Sequence, residues 1–153
     1  MIEGIWMFEV EQNKPQKTKP QRRKARKMQD RKARKFLEEL KLVNETVPII
    51  VEGNRDKQAL RALGIRGHIV KVHTGRSIQQ FCEDYSAAHA EAVILTDWDL
   101  RGNQLFTLLT RFLEADWERY NYFRETLRQL AGGAFREVEQ IMAWEHLSLA
   151  NQQ

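Results

Sequence analysis

Three carboxylates stand where apolar runs end. Glu52 closes the run in VPIIVEG (residues 47–53), and Asp97 and Asp99 follow AVILT (92–96) in the stretch VILTDWDLRG. A carboxylate this close to a core is too costly to desolvate uncompensated, so it must be paired, hydrogen-bonded or bound to a cation. Asp97 and Asp99 are two residues apart, and in extended backbone that spacing sends both side chains the same way. A carboxylate-led, all-oxygen donor set suits a hard divalent cation, Mg²⁺ first and Mn²⁺ as a substitute. Gly53 and Gly102 would let backbone approach a phosphate closely. A helix starting near Gly102 would add partial positive charge there. The plainer alternative makes the three acids helix caps and solvated loop residues.

The elements that must hold these residues alternate. VPIIVEG, HIVKV (68–72) and AVILT read as short buried strands. RDKQALRALG carries Ala59, Leu60 and Leu63 on one helical face and stops at Gly64. RSIQQFCEDYSAAHA (76–90) is a second helix, and GNQLFTLLTRFLEA (102–115) a third with Leu105, Leu108, Leu109, Phe112 and Leu113 inward. The order predicts an α/β fold of right-handed βαβ units, a small parallel sheet with helices on both faces. Ligands of such sheets sit outside the carboxyl ends of the strands. If the first and third strands are neighbours, Glu52, Asp97 and Asp99 converge on one rim. ERYNYF (118–123) is expected to be a fourth strand, and RETLRQLAGG and FREVEQIMAWEHLSLA two closing helices around Gly132–Gly133. Residues 1–13 are expected to form a short strand.

The net charge of +4 hides an asymmetry. Residues 14–35 hold 12 Lys/Arg and one acid, Asp30, for a net of +11, while residues 36–153 carry a net of −4 and residues 1–13 carry −3. KPQKTKPQ (14–21) is a polar linker. From Pro20, QRRKARKMQDRKARKFLEELKL reads as one helix to Leu42, with Ala33, Phe36, Leu37 and Leu40 at docking spacing in its second half. Crowded like charges weaken its first half, which is expected to fray until an anion neutralises it. The chain thus divides into an acidic tip, linker and basic helical arm over 1–40, and an α/β domain with C-terminal helices over 41–153. The asymmetry points to a polyanionic partner, nucleic acid first. Candidate contacts in the arm are Arg22, Arg23, Lys24, Arg26, Lys27, Arg31, Lys32, Arg34 and Lys35. Near the rim they are Arg55, Lys57 and Arg101.

One cysteine, Cys82, excludes disulfide frameworks, iron–sulfur clusters and cysteine-rich zinc sites. With no apolar run near the length of a membrane span and no signal-like N-terminus, the chain is expected in the cytoplasm, away from membranes.

The pair VEGNRDKQALRALGI and VILTDWDLRGNQL strongly resembles the Toprim domain, over residues 45–130 and at most to 149. That module is shared by type IA and type II topoisomerases, bacterial-type primases, OLD-family nucleases and the 5S ribosomal RNA maturation endonucleases, and the look here is that of the small single-domain archaeal-type Toprim proteins. The resemblance implies that Glu52 is the general acid/base and that Asp97 and Asp99 bind Mg²⁺. It further implies a hydrolase: an endonuclease-like nuclease acting on structured RNA. Two positions depart from the pattern. Asn54 stands where many small Toprim proteins have Lys, and Asn103 where nuclease-type members often have Glu. Both favour the alternative, a non-catalytic Mg²⁺-dependent RNA- or ribonucleoprotein-binding module. Phosphatases of the haloacid dehalogenase type and receivers also use aspartate pairs, but Arg101 does not fit them.

The remaining chemistry-bearing residues have plainer readings. Asp56 compensates the dipole of its helix. His68 and His73, five apart on opposite faces of a strand, cannot clamp one metal and read as structural. His89 and His146 lack partners at ligand spacing. Cys82 reads as a small buried hydrophobe, Tyr85, Tyr120 and Tyr122 as packing, and Trp98 as packing under the rim, with base stacking as the alternative.

Overall fold

The computed structural model describes residues 15–133 and 136–143. The strand expected over 1–13, His146 and much of the last expected helix lie outside them. The chain enters through α1 (Lys19–Asn44). Thr18 caps it, taking the Gln21 N–H while the Gln21 side chain takes the Thr18 N–H, and Pro20 lies in the first turn. The basic half is helical throughout and mostly exposed. The other half buries Ala33, Phe36, Leu37 and Leu40. The expected boundary at residue 40 therefore falls inside a helix that belongs to arm and core alike.

Three short parallel strands follow, β1 (Ile49–Val51), β2 (Ile69–Lys71) and β3 (Val93–Ile94), in the order β2-β1-β3. Ile49 faces Ile69 on one side and Val93 on the other. Strands one and three are thus neighbours, as convergence of the acids requires. The helices between them are α2 (Asn54–Ala62), α3 (Ile78–Ala88) and α4 (Leu100–Phe112). Alternation along β1 splits the core in two. Ile49 and Val51 pack with α1, with Leu60 and Leu63, and with Phe123 and Leu127; Ile50 packs with Phe81, Cys82, Leu105 and Leu109. Helices cover both faces of the sheet.

ERYNYF is not a strand. Glu118–Tyr120 is a 3-10 turn leading into α5 (Tyr122–Ala131), and among the described residues one isolated bridge, Glu91 to Asp116, is added to the three strands. The helix wins because Tyr120, Phe123, Leu127 and Leu130 recur at three and four residues, and all four are buried. Phe123 meets Phe36 of α1 edge-on, 6.1 Å between centroids. Beyond Gly132–Gly133, Val138–Ala143 is a 3-10 segment packed on α2, where a longer helix was expected.

Gly102 is required by packing. A Cβ there would lie 2.1 Å from the Asp97 carbonyl oxygen and 2.4 Å from its carbon. Both are backbone atoms, so nothing yields cheaply. Gly102→Ala should cost about 3 kcal/mol or more, beyond ordinary overpacking, in urea-unfolding measurements. A cost under about 1 kcal/mol would show that the α4 N-terminus can shift. Around Gly53 a Cβ would meet open space. The close approach expected of a phosphate at Gly102 is instead that of Asp97.

Candidate functional site

The order β2-β1-β3 makes the boundary between β1 and β3 a switch point, where adjacent connections leave in opposite directions and a crevice opens at the carboxyl ends. A cleft of about 300 Å³ lies there, lined by Glu52, Asp97 and Asp99 together with Asp56, His73, Glu137 and Glu139. Arg55 and Arg101 complete its rim, as expected; Lys57 is absent from the lining. The arm's bases do not line this cleft, although Lys32 and Lys35 border a separate groove beside Tyr122 and Phe123.

Each acid has a local reason for its place. Glu52 follows β1 directly, and its carbonyl accepts the His73 N–H at 3.1 Å, so the β2 edge fixes its backbone. Its Oε1 is buried with no hydrogen-bond partner. Burial first, then the charges of Asp56 and Asp99, push its carboxyl above the ordinary value, while His73 and the Asp97 backbone N–H pull the other way. Asp97 Oδ1 accepts the Val138 N–H at 2.6 Å. Burial still drives its pKa up to about 7, with Glu52, Asp56 and Asp99 adding to the rise. Asp99 caps α4, its Oδ1 taking the Gly102 N–H at 2.7 Å. Asp56 takes the Gly53 N–H at 3.0 Å and is only 6% exposed. Burial raises its pKa too.

Capping and crowding are therefore both present. Asp99 and Asp56 do the work of caps, yet they share one cleft with four further carboxylates. Among the described residues no three His, Cys, Asp or Glu side chains are already gathered as a metal cage. The donor chemistry nonetheless suits a hard cation. The set is oxygen-led, and the buried, unpartnered Glu52 oxygen is an atom a cation would satisfy. Side-chain rotation would have to close the set.

Several site residues were not legible beforehand. His73, read as structural, lines the cleft. Glu137 arrives just before the 3-10 segment and Glu139 on it, where helical spacing gave no reason to aim them at β1. Arg124 is 5% exposed and holds the loop that carries the aspartates. It donates to Thr96 O at 3.1 Å, to Asp97 O at 2.7 Å and to Asn103 Oδ1 at 2.7 Å, with its guanidinium over the Phe106 ring. Asn103 is thereby committed to Arg124 and lies outside the carboxylate lining. The plainer readings of Cys82 and Trp98 hold, whereas Tyr122, expected to pack, is 46% exposed. Cys82 is fully buried and its thiol is pushed up to about 11 by burial. Trp98 is 9% exposed and packs in the core. His68 and His89, however, meet edge-on at 5.3 Å between ring centroids.

Fold and site define a class: a small three-stranded parallel α/β protein with an acidic cleft at its switch point. The chain belongs to the UPF0292 family. It is 34% identical over 106 residues to a UPF0292 protein of Thermoplasma volcanium, spanning 63% of this chain and 89% of that one. A Pyrococcus furiosus member is 33% identical over 66% of this chain and 76% of its own length. A Methanocaldococcus jannaschii member is 28% identical over 71% and 85%. No family model matches the chain. A solved structure, a putative protein from Aquifex aeolicus, superposes with a TM-score of 0.55 at 21% identity, covering 70% of this chain and 95% of that one. That likeness is one of fold. Among the described residues no helix is long and apolar enough to cross a membrane.

Proposed function

We propose that the acidic cleft carries Mg²⁺-dependent phosphodiester cleavage, endonuclease-like, on structured RNA in the cytoplasm. The observation that carries this is the Glu52 carboxyl: half-buried at the end of β1, raised in pKa, with one oxygen unpartnered and Asp97 and Asp99 on the same cleft wall. The resemblance to Toprim domains assigns the same three residues to acid/base chemistry and Mg²⁺. Glu52, Asp97 and Asp99 would hold the ion, which supplies Lewis-acid stabilisation of charge on the phosphoryl oxygens. Glu52, its carboxyl held above the ordinary value by burial, is suited to exchange a proton with the attacking water or the leaving oxygen. Arg55 and Arg101, on the rim, would hold the flanking phosphates.

A second reading has its own observation. Asn103, where a further acid would stand in nucleases, is bonded to Arg124 and does not line the cleft. That favours a module that holds Mg²⁺ to bridge RNA phosphates without cleaving. Labelled structured RNA and DNA, incubated with the protein in Mg²⁺ or EDTA, separate the two. Mg²⁺-dependent fragments support the nuclease, and a Mg²⁺-dependent shift of intact RNA supports the binding module.

The metal itself has an independent test with a worked sign. Carboxyls whose folded pKa is raised retain protons that the unfolded chain releases, so in metal-free buffer stability falls as pH rises from about 4 to the Asp97 value of about 7. Mg²⁺ requires the ionised forms and should restore stability above that value, by about 2.7 kcal/mol at 100 times its Kd. Melting temperatures in EDTA and in millimolar Mg²⁺ should therefore differ more at pH 8 than at pH 5.5. Asp97→Asn/Asp99→Asn keeps oxygens for the Val138 and Gly102 N–H groups, so it should fold, melt higher than wild type in EDTA at pH 8, and lose the Mg²⁺ response. An equal Mg²⁺ shift in the variant would place the ion elsewhere.

A further inference from the structure

The acidic cleft has a neighbour of opposite sign. α5, Gly132–Gly133 and Arg136 border a second cleft, of about 620 Å³, lined also by Trp98 and, from α5, by Arg124, Glu125 and Arg128. Its three guanidinium groups face one carboxylate, whereas the first cleft sets six carboxylates against Arg55 and Arg101. The two share a wall. Asp97 and Asp99 line the first while Trp98, between them, lines the second; Glu137 lines the first and Arg136 the second. The Trp98 N–H donates to the Arg136 carbonyl at 2.9 Å, which ties the two segments of that wall together. On its far side the arginine cleft shares Gln129 with the groove of Lys32, Lys35 and the half-exposed Tyr122.

Arg124 is the informative group. A buried guanidinium needs compensation; the charges of Glu125, Asp97 and Glu52 act on it from nearby, while its hydrogen bonds run to neutral oxygens, two backbone carbonyls and the Asn103 amide. Arg128 pairs with Glu125 at 3.0 Å, but both are about half exposed, and such a pair contributes little that an anion could not replace. Guanidinium forks match phosphate oxygens two at a time. An acidic peptide would have to run on past six carboxylates, whereas a phosphodiester strand meets them through a bridging cation.

The geometry points to a phosphate-binding subsite in the Arg124–Arg128–Arg136 cleft. A nucleic-acid strand with its scissile phosphate against Glu52, Asp97 and Asp99 sets a neighbouring phosphate among these arginines and continues past Gln129 toward Lys32 and Lys35. Which linkage is scissile rests on the phosphodiester reading of the acidic cleft; the arginine subsite is a separate observation.

The test uses the full chain with Arg128→Gln/Arg136→Gln, two exposed positions, and a short fluorescein-labelled single-stranded RNA titrated at several KCl concentrations in EDTA and in Mg²⁺. The expected result is affinity lower by about tenfold and a log affinity–log salt slope flatter by roughly 0.7, with an unchanged melting temperature. Unchanged affinity and slope would overturn the subsite. So would an equal loss for a polyglutamate peptide, which would make an acidic protein the better occupant. A wild type that cleaves nothing in Mg²⁺, with the slope change intact, would remove the scissile phosphate and uphold the subsite.

Discussion

Glu52→Gln should slow Mg²⁺-dependent RNA cleavage by about 10²–10⁴-fold, the usual worth of a positioned proton-transfer group, while leaving RNA affinity nearly unchanged. The substitution keeps the side chain's size. The backbone is held independently, because the Glu52 carbonyl accepts the His73 N–H and the Leu95 N–H is bonded to Ile50. The charges proposed to face phosphates, Arg55 and Arg101 on the rim and the arginines of the second cleft, are untouched. Gln also removes a carboxyl that burial and Asp56 hold above its ordinary pKa, so the variant should melt no lower than wild type in metal-free buffer at pH 8. Single-turnover cleavage and a binding titration on one preparation check both halves. An unchanged rate would give the proton to another group, with His73 first to be tried because it lines the same cleft.

The strands and the rim were legible because their signals are local. A β-branched run closed by a carboxylate and glycine needs only seven residues to be seen, and VPIIVEG forms β1 with Glu52 just beyond it. The adjacency of β1 and β3 is not in either run; it was a condition on the fold, and the register Ile49 to Val93 meets it. ERYNYF misled because aromatic density outweighed the period: Tyr120 and Phe123 belong to a stripe that continues through Leu127 and Leu130. Gly102 shows a different limit. From the chain alone its absent side chain could serve a ligand or a neighbour, and only the position of the Asp97 carbonyl decides it. Arg124 was hidden more thoroughly. A charge count after residue 35 returns a net acid excess, yet folding gathers Arg124, Arg128 and Arg136 from α5 and the following segment into one cleft. Net charge cannot report such a gathering.

The arm is expected to supply most of the RNA affinity, without sequence preference. Twelve Lys/Arg lie within residues 14–35, and bases that neutralise phosphates release counterions, so log affinity falls with log salt by about 0.7 per phosphate on single strands. If half of these bases engage, the full chain should show a slope of roughly −4 to −5. Deleting residues 1–35 would be a poor test, since Ala33 is fully buried in the core. Converting Arg22, Arg23, Lys24, Arg26 and Lys27 to Gln is a cleaner one. All five are exposed, Gln is nearly as good a helix former as Lys or Arg, and the Thr18–Gln21 capping box and the buried Phe36, Leu37 and Leu40 are left intact. The five-fold variant should fold normally and should flatten the salt slope by up to roughly 3.5, weakening RNA and DNA binding alike. That loss is several times the change expected from the arginine cleft, so the two contributions separate in one titration series. Identical slopes for wild type and variant would make the arm a bystander, and the whole electrostatic footprint would then have to lie on the Arg124–Arg128–Arg136 cleft and the rim arginines beside Glu52.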